Sequence, residues 1–368
     1  MQTYPNTSVR RDSAFRGFFS ADEIDRIQGF YDSRPELTPA PLVRLTSTAH
    51  ALGLTDLLVQ DETHRFGLEA FKITGAMYAI HSLRAASRKT PLSAITCATA
   101  GNHGRAVSRA ARQAGIGCTV FIPAMATDTP DVERATRSAR IAAMRADGAT
   151  TIDVHGSYED AVRAAADFAE QTGATIVSDM AWQGYHEIPR LIMLGYTRVL
   201  EEASRQWNAV PEIVFVQGGV GGLVCAAANW FAARYGEQRP TIVACEPDSH
   251  ACLLASARAG ALVDLGDAAG PLGTIMAGLR CATPSPAAWP SIQAGVDAFV
   301  SIPDAFTLEA MEMFRQPASG DRAVIVGPSG ACGLGALLAV LRDDAGEPIR
   351  QRYSIESTRV LVVATESP

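Results

Sequence analysis

Four stretches of this chain place reactive or anion-binding groups where they can do chemistry. The first holds a lone lysine, in Arg65-Phe66-Gly67-Leu68-Glu69-Ala70-Phe71-Lys72-Ile73-Thr74-Gly75-Ala76, with the apolar run Ala76-Met77-Tyr78-Ala79-Ile80 behind it. A helix that begins beside a lysine on an apolar face can hold the amine out of water, and desolvation disfavours the ammonium form. Such an amine attacks aldehydes. Most lysines near helix starts are surface residues with a snorkelling stem, so the other three stretches decide how Lys72 is read.

The second stretch is Gly218-Gly219-Val220-Gly221-Gly222, between an apolar run and a helical one. Glycines remove the side chains that would block an anion, backbone N–H groups converge, and the following helix adds its positive end. The loop lacks the Gly-Lys-Ser/Thr ending of an ATP-binding loop, its spacing is not that of a dinucleotide fingerprint, and the alternative to phosphate binding is that Gly218-Gly219 and Gly221-Gly222 are plain turn glycines. The third, Thr99-Ala100-Gly101-Asn102-His103-Gly104, lies between a strand and a helix, where backbone amides suit a substrate carboxylate. There Asn102 is either turned towards a cofactor or a simple N-cap, and His103 is either structural or in touch with substrate. The fourth is Asp179, after the strand 175–178, where open α/β sheets hold their ligands. A carboxylate there can pair with a substrate amine and shift its protonation, or be an ordinary turn residue.

With Thr365 at the end of the apolar run 360–364, these stretches supply the parts of a pyridoxal phosphate site. They offer an imine-forming amine, an amide for the ring hydroxyl, a nest of N–H groups for the phosphate and a hydroxyl for the ring nitrogen.

The elements that must position these groups follow from pattern. At 368 residues the chain suggests two domains, or one large domain carrying an inserted one. Hydrophobic residues at 47% and charged residues at 19% are ordinary for a globular protein. A net charge of −7, without a basic stripe interleaved with aromatics, argues against a nucleic-acid partner. The start, Met1-Gln2-Thr3-Tyr4-Pro5-Asn6, has no apolar core behind a basic flank, and no apolar stretch is long enough to span a bilayer. A cytoplasmic protein without a membrane partner is expected. Seven scattered cysteines lack CxxC pairs or zinc spacing, so no metal is expected and most should be reduced core residues. Spacing leaves open whether Cys252 and Cys281 pair.

Ser20 and Glu23 suggest a capping box opening a helix from Ala21. Strands are expected at 57–62, 94–98, 118–123, 150–154, 175–178, 212–217, 241–246, 323–327 and 360–364. Helices are expected at 102–114, 135–147, 158–171, 188–207, 223–235 and 331–342, and a loop over about 260–290. Short β-rich runs alternating with helices that stop at glycine are the mark of parallel βαβ units. The expected fold class is α/β, with open parallel sheets in two domains: a large one from 1–84 plus 187–368, and a smaller one, 85–186, inserted in it.

At these residues the chain resembles the fold-type II pyridoxal phosphate enzymes, and within them it is similar to the diaminopropionate ammonia-lyases. The broad signals are Ala70-Phe71-Lys72, Gly101-Asn102-His103-Gly104 and the glycine loop. The narrower ones are Arg65-Phe66-Gly67-Leu68, Asp179-Met180-Ala181-Trp182-Gln183-Gly184-Tyr185, Glu246-Pro247-Asp248 and Thr274-Ile275-Met276-Ala277-Gly278-Leu279. The resemblance implies that Lys72, beside Phe71, carries pyridoxal 5'-phosphate as a Schiff base and removes the α-proton of an L-amino acid. It implies that Asn102 meets the ring hydroxyl and that Gly218, Gly219, Val220, Gly221 and Gly222 cradle the phosphate. Thr365, with Ser329 as second candidate, then meets the ring nitrogen, while Thr99, Ala100, Gly101, His103 and Asp179 contact substrate. A homodimer is implied in the same way.

The implied reaction is α,β-elimination from a 2-amino acid, with L-2,3-diaminopropionate as favoured substrate and pyruvate and ammonia as products. One departure matters: the family carries an aspartate before Gly-Asn-His-Gly, taken as the base for the D-isomer, and this chain has Ala100. Activity confined to the L-isomer is therefore expected. Alanine there is shared with threonine dehydratases, so dehydration of L-serine or L-threonine is the nearest rival, and a lyase or β-replacement enzyme on a substituted diaminopropionate is another. A non-catalytic sensor on the same fold is the alternative from a different class.

Overall fold

Glycines at helix ends divide this chain into short alternating segments. In the computed structural model, which describes residues 1–11, 18–86, 91–125, 129–266 and 273–368, the helix Asn102–Ala114 stops at Gly115 and the helix Tyr158–Thr172 at Gly173, both left-handed. In chain order the first elements are β1 (Gln2–Pro5), α1 (Ala21–Asp32), β2 (Leu42–Arg44), α2 (Thr46–Ala51) and β3 (Asp56–Asp61). Next come α3 (Ile73–Ala86), β4 (Ala94–Ala98), α4 (Asn102–Ala114), β5 (Gly117–Ile122), α5 (Asp131–Ala146), β6 (Thr150–Asp153), α6 (Tyr158–Thr172), β7 (Thr175–Ile176) and α7 (Glu187–Ser204). The remainder is β8 (Ile213–Gln217), α8 (Gly222–Tyr235), β9 (Thr241–Pro247), α9 (Cys252–Ala259), α10 (Trp289–Gly295), β10 (Ala298–Ile302), α11 (Asp304–Arg315), α12 (Pro328–Arg342), α13 (Glu347–Tyr353) and β11 (Arg359–Ala364).

The chain forms two compact units, Met1–Phe71 with Tyr196–Pro368, and Lys72–Gly195. The first contains a seven-stranded sheet in the order β1-β10-β9-β8-β11-β3-β2. Its five inner strands are mutually parallel, and every residue of β3, β8 and β10 is buried. Strands covered on both faces read as continuous apolar runs, which is why 57–62 and 212–217 are visible in the sequence. The second unit contains a four-stranded parallel sheet, β6-β5-β4-β7, with Phe121, Ala161 and Ala165 packed together on it.

Both edges of the larger sheet carry antiparallel strands that the sequence pattern does not announce, β1 on β10 and β2 on β3. At 4 and 3 residues they are too short to show a period. α1 begins with the expected capping box, the Ser20 Oγ taking the Glu23 N–H while the Glu23 side chain takes the Ser20 N–H. α5 starts at Asp131 rather than 135, because Asp131 and Glu133 suit the positive first turn after Pro130.

The strand expected at 323–327 does not form. Val324 donates to Phe314 O and Gly327 to Glu366 O, each at 2.9 Å, two unrelated bonds that build no ladder. Val324 and Val326 are buried and Ile325 is exposed, which imitates a strand's alternation, but Gly327 is already the N-cap of α12, with Pro328 following. Within the loop expected over 260–290, Ala277–Leu279 makes one 3-10 turn, α10 begins at Trp289, and 267–272 lie outside the described residues.

Candidate active site

The chain leading to the lysine is fixed by a buried ion cluster. Arg65 is fully buried and grips Glu202 with both terminal nitrogens, Nη2 lying 2.9 Å from Oε1. Arg198 donates Nε to the same carboxylate at 2.5 Å, and the Ala40 N–H adds a bond at 2.9 Å. Two guanidinium groups and a backbone donor thus satisfy one buried acid, the condition for burying charge at all. Arg65 and Leu68 exchange backbone hydrogen bonds across a two-residue turn in which Phe66 has φ 49° and Gly67 φ 76°. A non-glycine residue in that region stores strain. The Phe66 ring is held by the Arg65 guanidinium 4.0 Å above it and by Tyr31, stacked at 5.9 Å. Ala70 then bridges to Glu366, and Phe71 N–H donates to Thr365 O at 3.1 Å. The residue before the lysine is therefore anchored at the end of β11, and its ring lies 4.7 Å from that of Tyr196.

Lys72 opens α3, its carbonyl accepting from Ala76 N–H. Its Nζ lies 2.6 Å from Asp179 Oδ2, and the side chain is 25% exposed. The amine's neighbour is thus a carboxylate rather than an apolar wall. α3 is closely packed: a Cβ on Gly195 would come within 2.5 Å of Thr74 O, so only glycine lets the two backbones approach there.

Asp179 follows β7, whose ladder is continued by Val177 N–H to Thr96 O. His103 is buried; its Nε2 lies 2.9 Å from Val177 O and its Nδ1 3.7 Å from Asp179 Oδ2, without a hydrogen bond of its own. Since a carbonyl can only accept, the proton is assigned to Nε2. A neutral His103 then turns a lone pair towards Asp179, and a protonated one turns an N–H. Burial alone raises the Asp179 carboxyl; the His103 and Lys72 charges and the Lys72 hydrogen bond outweigh it and hold the group well below the usual carboxylate range. The turn after Asp179 is built on Tyr185, whose hydroxyl accepts from Ser178 N–H and donates to Ile176 O, and whose ring stacks 3.9 Å from Trp182.

Ahead of α4, the Thr99 hydroxyl accepts from Gly101 N–H at 3.0 Å, and Gly101 is the N-cap. Asn102 is the first helical residue, which removes the simple N-cap alternative. Ala100 stands in this turn with no ionisable group.

In the other unit the glycine loop follows β8. Gly219 has φ 62° and Gly221 φ 92°, and α8 starts at Gly222 with no side-chain cap. The positive helix end and its first N–H groups suit an anion. The loop is closed from behind: a Cβ on Gly218 would meet Glu246 Cγ at 2.7 Å, and one on Gly221 would meet Ile292 Cδ1 at 2.4 Å. A cradle that admits no side chain fits a phosphate approached by backbone. Ser285 N–H donates to Val220 O at 2.8 Å from the loop's rim. Thr365, just past β11, is buried; Ser329 is also buried, and its hydroxyl accepts from Gly278 N–H at 2.9 Å.

Lys72, Asp179 and His103 are thus gathered in one unit, with Thr99, Ala100, Gly101 and Asn102 at the start of α4. Gly218–Gly222, Phe71, Ser329 and Thr365 belong to the other. Two side chains escaped the sequence reading. Gln217 donates Nε2 to Gly330 O at 2.8 Å and Val363 O at 2.6 Å, joining α12 to β11. Glu246 is the second; only its place in Glu246-Pro247-Asp248 marked it.

All seven cysteines carry thiols rather than disulfides, six of them buried and Cys281 partly so. Among the described residues no cluster of His, Cys, Asp or Glu could hold a metal ion, and no helix is long and apolar enough to cross a membrane.

A family model for pyridoxal-phosphate dependent enzymes matches residues 34–365. Diaminopropionate ammonia-lyase of Escherichia coli (strain K12) is 31% identical over 95% of this chain and 89% of its own length. The protein of the same name from Salmonella typhimurium is 32% identical over 92% of this chain and 88% of its own. The crystal structure of the Escherichia coli enzyme in complex with an aminoacrylate-PLP azomethine reaction intermediate superimposes with a TM-score of 0.85 at 30% identity, covering 100% of this chain and 93% of that one.

Proposed function

We propose that this chain, which belongs to the pyridoxal-phosphate dependent enzyme family, eliminates the β-amino group of L-2,3-diaminopropionate to give pyruvate and ammonia. It is a pyridoxal phosphate-dependent ammonia-lyase acting by elimination, and the substrate and its stereochemistry are the proposal. The bound cofactor supplies an aldehyde for the substrate amine and an electron-poor ring that spreads the charge left at Cα.

The residues of this chain supply the rest. Gly218, Gly219, Val220, Gly221 and Gly222 would hold the phosphate by backbone, Asn102 would meet the ring hydroxyl, and Thr365 or Ser329 would meet the ring nitrogen as a neutral hydrogen-bond partner. Lys72 Nζ takes the proton from Cα. The Cα–H pair becomes the second bond between Cα and Cβ, and the Cβ–N bond breaks with its electrons going to the departing amine, which leaves as ammonia. Water converts the released aminoacrylate to pyruvate and a second ammonia.

The observation that carries the choice of substrate is the pair Lys72 Nζ to Asp179 Oδ2 at 2.6 Å with His103 behind it. Asp179 is an anion built to hold an ammonium group. Whenever Nζ is engaged elsewhere, the same carboxylate can take the β-ammonium of diaminopropionate, while the neutral hydroxyl of serine or threonine gains far less from it. At Ala100 nothing can take a proton, so removal is confined to the face Lys72 serves. A cytoplasmic homodimer belongs to the same reading, with sedimentation of the purified protein as its check.

Purified protein incubated with pyridoxal phosphate should show a visible absorbance band that Lys72→Ala abolishes. Pyruvate should form from L-2,3-diaminopropionate and not from the D-isomer. Equal turnover of the two isomers would defeat the role given to Ala100. Faster release from L-serine or L-threonine would favour the dehydratase, pyruvate lost to added thiols or amines would favour β-replacement, and no band at all would favour the sensor.

A further inference from the structure

The mechanism leaves Glu246 without a task, yet it is the most enclosed carboxylate near the glycine loop. Its exposure is 0%, and both its oxygens are used: Oε1 accepts Leu253 N–H at 2.8 Å and Oε2 accepts Leu254 N–H at 2.9 Å. These are donors in the first turn of α9, whose own N-cap, Ala251, has no side chain to satisfy them. The Glu246 carboxyl group, reaching in from the end of β9, thus performs through its two oxygens the capping that the local sequence lacks.

That capping fixes what lies against the loop. Leu253, held by Glu246, would meet a Cβ on Gly218 at 3.1 Å and one on Gly221 at 3.4 Å, and Glu246 Cγ itself presses on Gly218. Cys252, in the same turn, donates Sγ to Gly219 O at 3.6 Å, and Gly218 N–H is bonded to Cys245 O on β9. Three residues of the loop are therefore backed by β9 and α9, and one acid ties those two elements together.

We propose that Glu246 is a positioning residue for the phosphate: by capping α9 it sets the curvature of Gly218–Gly222 and so the aim of the loop's N–H groups. This rests on the glycine loop being the phosphate cradle. Both oxygens of a carboxyl can accept an N–H whether or not it carries its proton, whereas the amide in Glu246→Gln can accept only one of the two bonds and sets an NH2 against the other, so the turn must shift.

The test separates aim from overall stability by using a ligand without the phosphate. Apo-protein of the wild type and of Glu246→Gln is titrated with pyridoxal phosphate and, separately, with pyridoxal, reading visible absorbance. The expected result is about a tenfold or greater loss of affinity for pyridoxal phosphate in the variant, with pyridoxal affinity unchanged. A purely structural role would lower the melting temperature and leave the ratio of the two affinities as it is in the wild type; that result overturns the proposal. Should circular dichroism show that Gln prevents folding, Glu246→Asp, too short to reach both amides, is judged by the same ratio. A wild type that binds both ligands equally would overturn the cradle itself, and this role with it.

Discussion

Replacing Glu246 by glutamine should also change how stability responds to pH. Burial is the largest influence on this carboxyl and pushes it from an ordinary 4.5 up to about 8, against the Leu253, Leu254 and Cys252 hydrogen bonds that favour the anion. Among the described residues the titratable groups close enough to feel its charge are the thiols of Cys245, Cys252 and Cys332, all of which burial holds in the neutral form. The folded protein thus keeps a proton that the unfolded chain gives up near 4.5. The resulting stability is fully present below 4.5 and is lost as pH rises through about 8. Where only the unfolded chain is ionised the loss is about 1.4 kcal/mol per pH unit, so from about pH 5.5 to about pH 8.5 it amounts to roughly 3 kcal/mol. Glutamine has no proton to lose. Its lost hydrogen bond costs the same at every pH, so the stability difference between wild type and Glu246→Gln should shrink by roughly 3 kcal/mol over that range. Urea midpoints of the two apo-proteins, measured at several pH values, give this difference with all other titrations cancelled. A difference that stays flat would refute the reasoning, because it would mean that Glu246 is ionised in the folded protein throughout.

Two further substitutions probe the site. Asp179→Asn keeps the shape but removes the charge facing Lys72, and kcat/KM for L-2,3-diaminopropionate should fall on the order of 10- to 100-fold, with a much smaller fall for L-serine in the same assay. Gly221→Ala forces a Cβ onto a residue at φ 92°, facing Ile292 Cδ1 at 2.4 Å. The left-handed backbone alone costs about 1–2 kcal/mol, so both a lower melting temperature and weaker binding of pyridoxal phosphate are expected from thermal melts and absorbance titration.

What could be read from the sequence follows from the range of the forces involved. The parallel strands and their glycine-stopped helices are local patterns, and 94–98, 102–114 and 158–171 sit within a residue of where their periodicity puts them. Lys72 and the glycine loop announce themselves because their chemistry is unusual for their place in the chain. The bond between Lys72 and Asp179 joins residues 107 apart, and nothing in either neighbourhood encodes it. Glu246 is similar: the amides it satisfies are seven and eight residues away, across a turn whose shape no composition rule gives. The Arg65 to Glu202 cluster spans 137 residues, and the left-handed Phe66 is a conformation the fold imposes against the residue's preference. The apparent strand at 323–327 shows the converse, a local pattern with no partner to complete it.

The order of strands in the larger sheet sets a timetable for the ribosome. β11, the last of these strands in the sequence, lies between β8 and β3, Val360 pairing with Ile213 and Arg359 with Asp56, about two fifths and four fifths of the chain away. Until residue 359 and its followers emerge, β8 and β3 lack the strand that joins them, and the anchor that Thr365 gives Phe71 is missing. The contiguous unit Lys72–Gly195 waits for no such closure and can acquire its structure while the remainder is still being translated. On the proposed reading of Lys72 and the glycine loop, the nascent chain carries its lysine well before the strand beside the loop's own strand is in place, so coenzyme capture should wait until β11 has emerged.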